Sequence, residues 1–469
     1  MKKLFLLFFI FKITTYYSQS SPLQESLVAT MSLSEYLGYV KRFHPIVKQA
    51  NLVINDSEAK LLKARGAFDP EIKVNFNEKR FEQRDYYDKR NATFKIPTWY
   101  GIELKANFEN NSGVFLNPAA TVDNLYSAGV SLSLLKGLLM NDRMAAIKQA
   151  RLFINQAKED QQILVNNILY KASVTYFTWL KAYNEKQVYT SFVKNATFRL
   201  KATKRAFSEG DKPAIDTLEA SIFYKSRLLD LEKARIKYVK TSLELSNFLW
   251  LADNTPVELQ RNIIPDISTL QTVDNTFNIA LFNNQNFDIN KHPKIKSLRF
   301  KIERLDVERR LKFNRLLPKL DVDYNFLSPN ENQFSNFNTE NYKAVVKFSL
   351  PIFLRKARGD LRLAKVKLNE IQFENEAFIV SITNKIDAIQ QELDSYTIQS
   401  NLTKDIVIDY EALLKAEERK FFLGASSLFL VNYREVKLIE SRLKAIDLEN
   451  RFFNSKASLF KAAVIQIAE

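Results

Sequence analysis

The chain says the same thing twice. His44-Pro45-Ile46-Val47-Lys48 is answered 248 positions later by His292-Pro293-Lys294-Ile295-Lys296, and the same offset pairs Ile54 with Ile302, Pro70 with Pro318, Val74 with Val322 and Asn77 with Asn325. A duplicated unit means that whatever the first half builds, the second must build again. Only nine glycines and twelve prolines are spread over 469 residues, which argues against a turn-dense all-β or doubly wound α/β fold and for long helices.

Each repeat runs in one order. Residues 32–67 and 293–316 carry helical apolar spacing and end near the proline that opens an alternating segment. There Ile72, Val74 and Phe76 alternate with Lys73, Asn75 and Asn77; Leu320, Val322, Tyr324 and Phe326 alternate with Asp321, Asp323 and Asn325. Returning strands follow, with Ala128, Val130, Leu132 and Leu134 in one repeat and Ala344, Val346, Phe348 and Leu350 in the other. A period of two predicts strands with one apolar and one polar face. The first repeat is longer between its strands, where Ile102, Leu104, Ala106 and Phe108 also alternate and Asn111-Ser112-Gly113 and Asn117-Pro118 resemble turns. That insert can add strands or form an outer loop.

Next come the longest uninterrupted helical stretches, 75 positions from Leu135 to Gly210 and 73 from Pro351 to Gly424. At the α-helical rise this is roughly 110 Å each, far beyond what an ordinary domain core requires. Both close on Arg, Phe and Gly in register: Arg205-Ala206-Phe207-Ser208-Glu209-Gly210 and Arg419-Lys420-Phe421-Phe422-Leu423-Gly424. A glycine there takes the left-handed conformation that stops a helix and reverses the chain. Another helix follows each, so both repeats should end in a helical hairpin tipped by glycine.

The first residues set the compartment. Lys2 and Lys3 precede an apolar run from Leu4 to Phe11, and Ser18-Gln19-Ser20 supplies small residues, the layout of a secretory signal over 1–20. No cysteine is present, which excludes disulfides, thiolate metal sites and a lipid-bearing cysteine. Removing the three lysines of residues 1–20 leaves 66 basic against 53 acidic residues, an excess of 13. Charges of both signs alternate along the helices, as in Lys301-Ile302-Glu303-Arg304-Leu305-Asp306, which marks a solvated face; no nucleic-acid partner is expected. The two histidines precede proline at equivalent positions, as helix starts do, and no third His or tight carboxylate cluster accompanies them; neither metal, cofactor nor catalytic residue is expected.

Strands with one apolar face and open edges cannot enter a bilayer singly, because unpaired backbone groups in hydrocarbon cost several kcal/mol each. They must close with strands of other chains. Aromatics such as Trp99, Tyr100, Tyr126, Tyr324 and Tyr342 lie where interface girdles need them.

In this order and spacing the chain resembles the TolC-like outer-membrane efflux proteins. The likeness rests on the His-Pro helix starts, Phe68-Asp69-Pro70 and Leu317-Pro318-Lys319-Leu320 opening the strands, Phe348-Ser349-Leu350-Pro351-Ile352-Phe353 closing the second pair, and the glycine-tipped hairpins. The resemblance implies a mainly α fold with a transmembrane β-barrel portion: a homotrimer in outer-membrane lipid, with a shared twelve-stranded barrel and a helical tunnel in the periplasm. It implies a passive exit duct for efflux or type I secretion, docked to a periplasmic adaptor and through it to an inner-membrane pump. A periplasmic coiled-coil adaptor or structural protein is the alternative. By the same resemblance the pore constriction falls at Asp216, Glu219, Leu430 and Tyr433, and adaptor docking at Arg205, Phe207, Gly210, Arg419, Phe421 and Gly424. The expected units are residues 21–252, a connector 253–290, and residues 291–469. The first repeat departs from the pattern at the barrel-to-tunnel junction, where Leu135-Lys136-Gly137 stands in place of the second repeat's Pro351-Ile352-Phe353.

Overall fold

The computed structural model describes residues 29–116, 123–279, 287–330 and 339–465; the signal segment and the Asn117-Pro118 turn lie outside them. The first repeat runs β1 (Ala29–Met31), α1 (Leu33–Phe43), α2 (Pro45–Arg65), β2 (Glu71–Phe81), β3 (Arg84–Pro97), β4 (Ile102–Ser112), β5 (Asn124–Leu135), α3 (Lys136–Leu139), α4 (Asp142–Ser208) and α5 (Ala214–Ser246). After β6 (Ile263–Pro265) and α6 (Thr269–Thr276) come α7 (Pro293–Asn314), β7 (Lys319–Ser328), β8 (Tyr342–Ser349), α8 (Arg355–Phe422) and α9 (Leu428–Ala463).

The repeated His-Pro dipeptide starts α2 and α7. Proline takes the first helical position, where its missing N–H is no loss. The imidazole before it accepts from the backbone: Nδ1 of His44 from Ile46 N at 3.1 Å and Nδ1 of His292 from Lys294 N at 3.0 Å. Nε2 of His292 lies 3.0 Å from the Ala462 carbonyl, so the proton sits on Nε2 and both ring nitrogens are used. Burial pushes the pKa of both histidines down. The folded chain thus holds them neutral while the unfolded chain takes protons at the ordinary value, so their contribution is intact above about pH 6.5 and declines as pH falls below it. The thermal midpoint should drop between about pH 6.5 and 5. His44→Asn/His292→Asn, which keeps a capping acceptor without the titration, should flatten that part of the profile; an unchanged slope would remove the histidines as its cause.

The helices α4 and α8 have 67 and 68 residues, about 100 Å each. Near the sheet α4 packs between α2 and α7, and α7 leads on to α8; toward the tips α5 and α9 replace α2 and α7 beside the same two long helices. One chain is therefore a layer of helices whose edges are α2 and α5 on one side and α8 on the other. Midway along, an aromatic core of Tyr36, Tyr176, Phe177, Trp179, Phe277, Phe453 and Phe460 ties α1, α4, α6 and α9 together. Tyr176 Oη donates to the Met31 carbonyl at 2.8 Å, and β1 pairs in parallel with β6 beside it.

The strands form one antiparallel sheet in the order β2-β3-β4-β5-β7-β8. The insert adds strands: β3 and β4 stand in the sheet, and Glu82 and Gln83, both at positive φ, make the turn between β2 and β3. The sheet of one chain therefore has six strands among the described residues, two more than a third of a twelve-stranded barrel. The two repeats meet at β5 and β7, where Val130 lies opposite Tyr324 and Gly129 opposite Asn325. The alternation stays in phase across all six strands. One face carries Val74, Ala92, Ala106, Ala128, Phe326 and Tyr342 and their like; the other carries Lys73, Thr93, Asn107, Ser127 and Asp323. No helix among the described residues is long and apolar enough to cross a membrane.

Both junctions between sheet and long helix hold a leucine at positive φ, Leu135 at 62° and Leu354 at 49°. In the first repeat the expected continuous helix is broken, because the short α3 ends at Leu139, Met140 is extended, and α4 is capped anew by Asn141, whose Oδ1 accepts from Met144 N at 2.8 Å.

Candidate functional site

The hairpin tips are built alike. After α4, Gly210 N donates to the Phe207 carbonyl at 3.0 Å and Asp211 N to that of Ala206 at 2.9 Å; after α8, Gly424 N donates to Phe421 at 3.1 Å and Ala425 N to Lys420 at 2.9 Å. This is the Schellman closure, and it requires the left-handed residue that Gly210 (φ 85°) and Gly424 (φ 75°) provide. Among the described residues, adjacent ones aside, nothing lies within 4 Å of where a Cβ would stand on either glycine. Backbone conformation, not crowding within the chain, accounts for both.

The side chains at the two tips differ. Arg205 is exposed and pairs with Glu209 at 2.9 Å; Arg419 is exposed as well. Phe207 is exposed, whereas Phe421 is half-buried against Phe192, Leu414 and Val431. Lys212 of the first tip sits 4.9 Å over the Phe421 ring, so the tips abut. The apolar groups that reach solvent at the second tip are Phe422, 89% exposed, and Leu423, 71% exposed; sequence reading passed them over for their neighbours.

Asp216 and Glu219 occupy the first turns of α5 and are half-buried. Leu430 and Tyr433 stand exposed on the first turns of α9. The structure brings the two sets to the same end: Glu219 Oε1 accepts from Asn432 Nδ2 at 3.4 Å. Behind this contact lies a charged cluster that the sequence did not disclose. Glu435 on α9, 2% exposed, takes Arg199 of α4 at 2.8 Å and Arg227 of α5 at 3.2 Å. Arg199 also reaches Glu418 of α8 at 3.1 Å and Asn432 at 3.0 Å. One buried carboxylate thereby joins α9 to α4 and α5, and Arg199 extends the cluster to α8.

Farther up, Lys181 of α4 hydrogen-bonds Asp447 of α9 and holds its carboxyl below the usual range. Between α8 and α9 a groove of about 300 Å³ is lined by Leu270, Tyr396, Lys404, Leu448, Glu449 and Phe452; burial pushes the Glu449 carboxyl up.

At the opposite end the polar face of the sheet is tied together by ion pairs and amides: Lys105 to Asp323 at 3.1 Å, Lys95 to Glu103 at 3.0 Å, and Thr93 Oγ1 to Asn107 Oδ1 at 2.6 Å. Among the described residues none covers the apolar face at Ile72, 73% exposed, Phe76, 75%, or Phe348, 65%. Helix edges are bare too. Ile215, Leu218, Ile222, Leu229, Ile236, Val239 and Leu243 of α5 are all exposed, and their steps of three, four and seven are the a/d phase of a coiled-coil seam without a partner. On the other edge Leu363, Val366, Phe373 and Val380 of α8 repeat that phase.

No protein-family model matches this sequence, and no curated protein matches it. Solved structures do. CusC, described for folding and transmembrane channel formation, superposes with a TM-score of 0.67 at 13% identity over 92% of this chain and 91% of its own. The fold is that of an outer-membrane channel. The CmeC outer-membrane channel of Campylobacter jejuni gives 0.63 at 13% identity over 93% and 87%, and the outer-membrane protein VceC of Vibrio cholerae gives 0.64 at 12% over 92% and 96%. The channel fold thus spans nearly the whole of each partner, sheet and hairpins together, at identities where only fold is shared.

Proposed function

We propose that three copies of this chain form the outer-membrane channel of a tripartite efflux or type I secretion system, a passive exit duct that takes its energy from an inner-membrane pump reached through a periplasmic adaptor. One observation carries the reading: a sheet apolar on one face and polar on the other, open at both edges, caps helices about 100 Å long whose own edges expose coiled-coil seams. Sheet and helices need a partner on the same two sides, the heterologous arrangement that closes into a ring. A periplasmic adaptor would have no use for an uncovered apolar sheet face. The units 21–252 and 291–469 are the two repeats of the duct, joined by 253–290, and residues 1–20 direct export.

In this assembly Asp216 and Glu219 on α5, with Leu430 and Tyr433 on α9, narrow the periplasmic end. Arg205, Phe207 and Gly210 at one tip and Arg419, Phe421 and Gly424 at the other meet the adaptor, with Phe422 and Leu423 as added apolar contacts. Three copies of Asp216 and Glu219 make acidic rings that favour cations. Purified protein in planar bilayers should conduct with cation preference, and Asp216→Ala/Glu219→Ala should lower that preference severalfold while leaving the trimer intact. Unchanged selectivity would dismiss the acidic ring; absence of any conducting species would dismiss the duct.

A further inference from the structure

The sheet itself states how it closes. We propose that β2 of each copy pairs antiparallel with β8 of the next, with Val74 opposite Val346, so that three copies share an eighteen-stranded barrel, not a twelve-stranded one; this rests on the trimeric duct reading above.

Four features converge on that pairing. First, β2 and β8 are the two edges of a single six-stranded sheet, and edges in hydrocarbon must be paired. Their directions fit, since β2 leaves the helical end and β8 returns to it.

Second, the register matches end to end. With Val74 opposite Val346, Glu71 meets Ser349 and Glu78 meets Tyr342, so the whole of β8 (Tyr342–Ser349) is paired within β2 (Glu71–Phe81). A two-residue slip leaves part of one strand unpaired at the helical end.

Third, the faces agree. Ile72 falls opposite Phe348 and Phe76 opposite Ala344, all in the apolar phase, whereas a one-residue slip would turn β2 over. On the wet face Lys73 faces Lys347, with Glu71, already 3.2 Å from Lys73, diagonal to the second lysine.

Fourth, the stagger closes. Following the cross-strand partners from Glu71 leads through Lys95, Lys105, Gly129 and Asn325 to Lys343, and the proposed register carries the line to Asn77 of the next β2, six residues farther along the strand. Six residues of stagger per six strands, taken three times, gives a shear number equal to the strand number, which corresponds to a tilt of about 35°. That lies within the range of membrane barrels. A register chosen only to match strand ends and faces thus returns an allowed barrel.

The consequence is width. At this tilt eighteen strands enclose a backbone cylinder about 35 Å across, against about 24 Å for twelve. Barrels of this strand number hold an aqueous channel, so the outer-membrane segment is not where cargo size is limited. That falls to the hairpin-tip end.

Because the chain has no cysteine, introduced thiols report cleanly. Val74→Cys/Val346→Cys, oxidised in native membranes, should give covalent dimers and trimers on non-reducing denaturing gels, and neither single variant should. If β2 and β3 stood outside the wall, β4 would become the edge, and Leu104→Cys/Val346→Cys would cross-link between copies instead. That result in a particle of three-chain native mass would overturn the eighteen-stranded barrel and leave the duct standing. A one-chain native mass would overturn both. Should the cysteine variants fail to assemble, electron cryomicroscopy of the unmodified particle down its threefold axis decides: about 35 Å supports the proposal and about 24 Å ends it.

Discussion

Gly129→Val is expected to abolish assembly of the sheet. Gly129 lies on β5 opposite Asn325, at the seam of the sheet where the strands of the two repeats join. A Cβ placed there would collide with the Tyr324 carbonyl oxygen, the Asn325 Cα and the Asn325 side chain. Two of these are backbone atoms of the paired strand, and they cannot turn aside as a side-chain end would. Relief therefore requires β5 and β7 to separate, which exposes backbone groups and splits the apolar face in two. A cost of about 3 kcal/mol or more follows from forced overpacking with backbone displacement, and in a membrane the lost pairing adds to it. The measurement is the yield of heat-resistant oligomer in the outer-membrane fraction. Ser127→Ala, two residues away on the same face, should assemble normally. Normal yield from Gly129→Val would mean that β5 and β7 are not in the close register described.

The parts legible in the sequence are those where local chemistry and the repeat agree. The His-Pro starts could be read because proline at the first helical position and a capping acceptor before it are local requirements, met twice. The tips could be read because only the left-handed region closes that turn, and Gly210 and Gly424 mark it. β5, β7 and β8 alternate cleanly, since both faces extend over the full strand. β3 does not: Arg84, Asp85, Asp88, Lys89 and Arg90 fill its outer half, beyond the apolar band, and only Ala92, Phe94 and Ile96 keep the period. Without β3 the alternation of β4 had no neighbour to explain it, so the insert could be read either as strands or as an outer loop. The short strands β1 and β6 were invisible for a different reason, being three residues each and held by the aromatic core around Tyr176. At the candidate site the four positions proposed to narrow the pore were picked by the family resemblance and their offset from the glycines. The carboxylate behind them was not, because Glu435 lies among other charged residues on α9 and nothing local says that it faces inward.

That carboxylate sets the second large effect. Glu435→Gln is expected to destabilise the hairpin end by about 3–5 kcal/mol, the range for removing one partner of a buried ion pair. The substitution keeps the shape and removes the charge. Arg227, 6% exposed, then loses its closest counter-ion while its Nη2 already lacks a hydrogen-bond partner; Asp230, 3.6 Å from Nη1, is a weaker substitute. Arg199 keeps Glu418, which is half exposed and screened by water. Two guanidinium groups are thus left in a space that one carboxylate had neutralised. The cost should therefore exceed that of Glu418→Gln severalfold, as read from denaturant unfolding followed at the helical signal. A cycle with Arg227→Met separates charge from packing. If the penalty comes from an orphaned cation, Glu435→Gln/Arg227→Met should recover most of the loss, because Arg199 keeps Glu418 and no guanidinium is then left buried without a counter-ion. If the penalty comes from lost packing between α5 and α9, the two losses should add. A Glu435→Gln penalty below about 1 kcal/mol would place the cluster in water, and the joining of the two hairpins through this side chain would have to be abandoned.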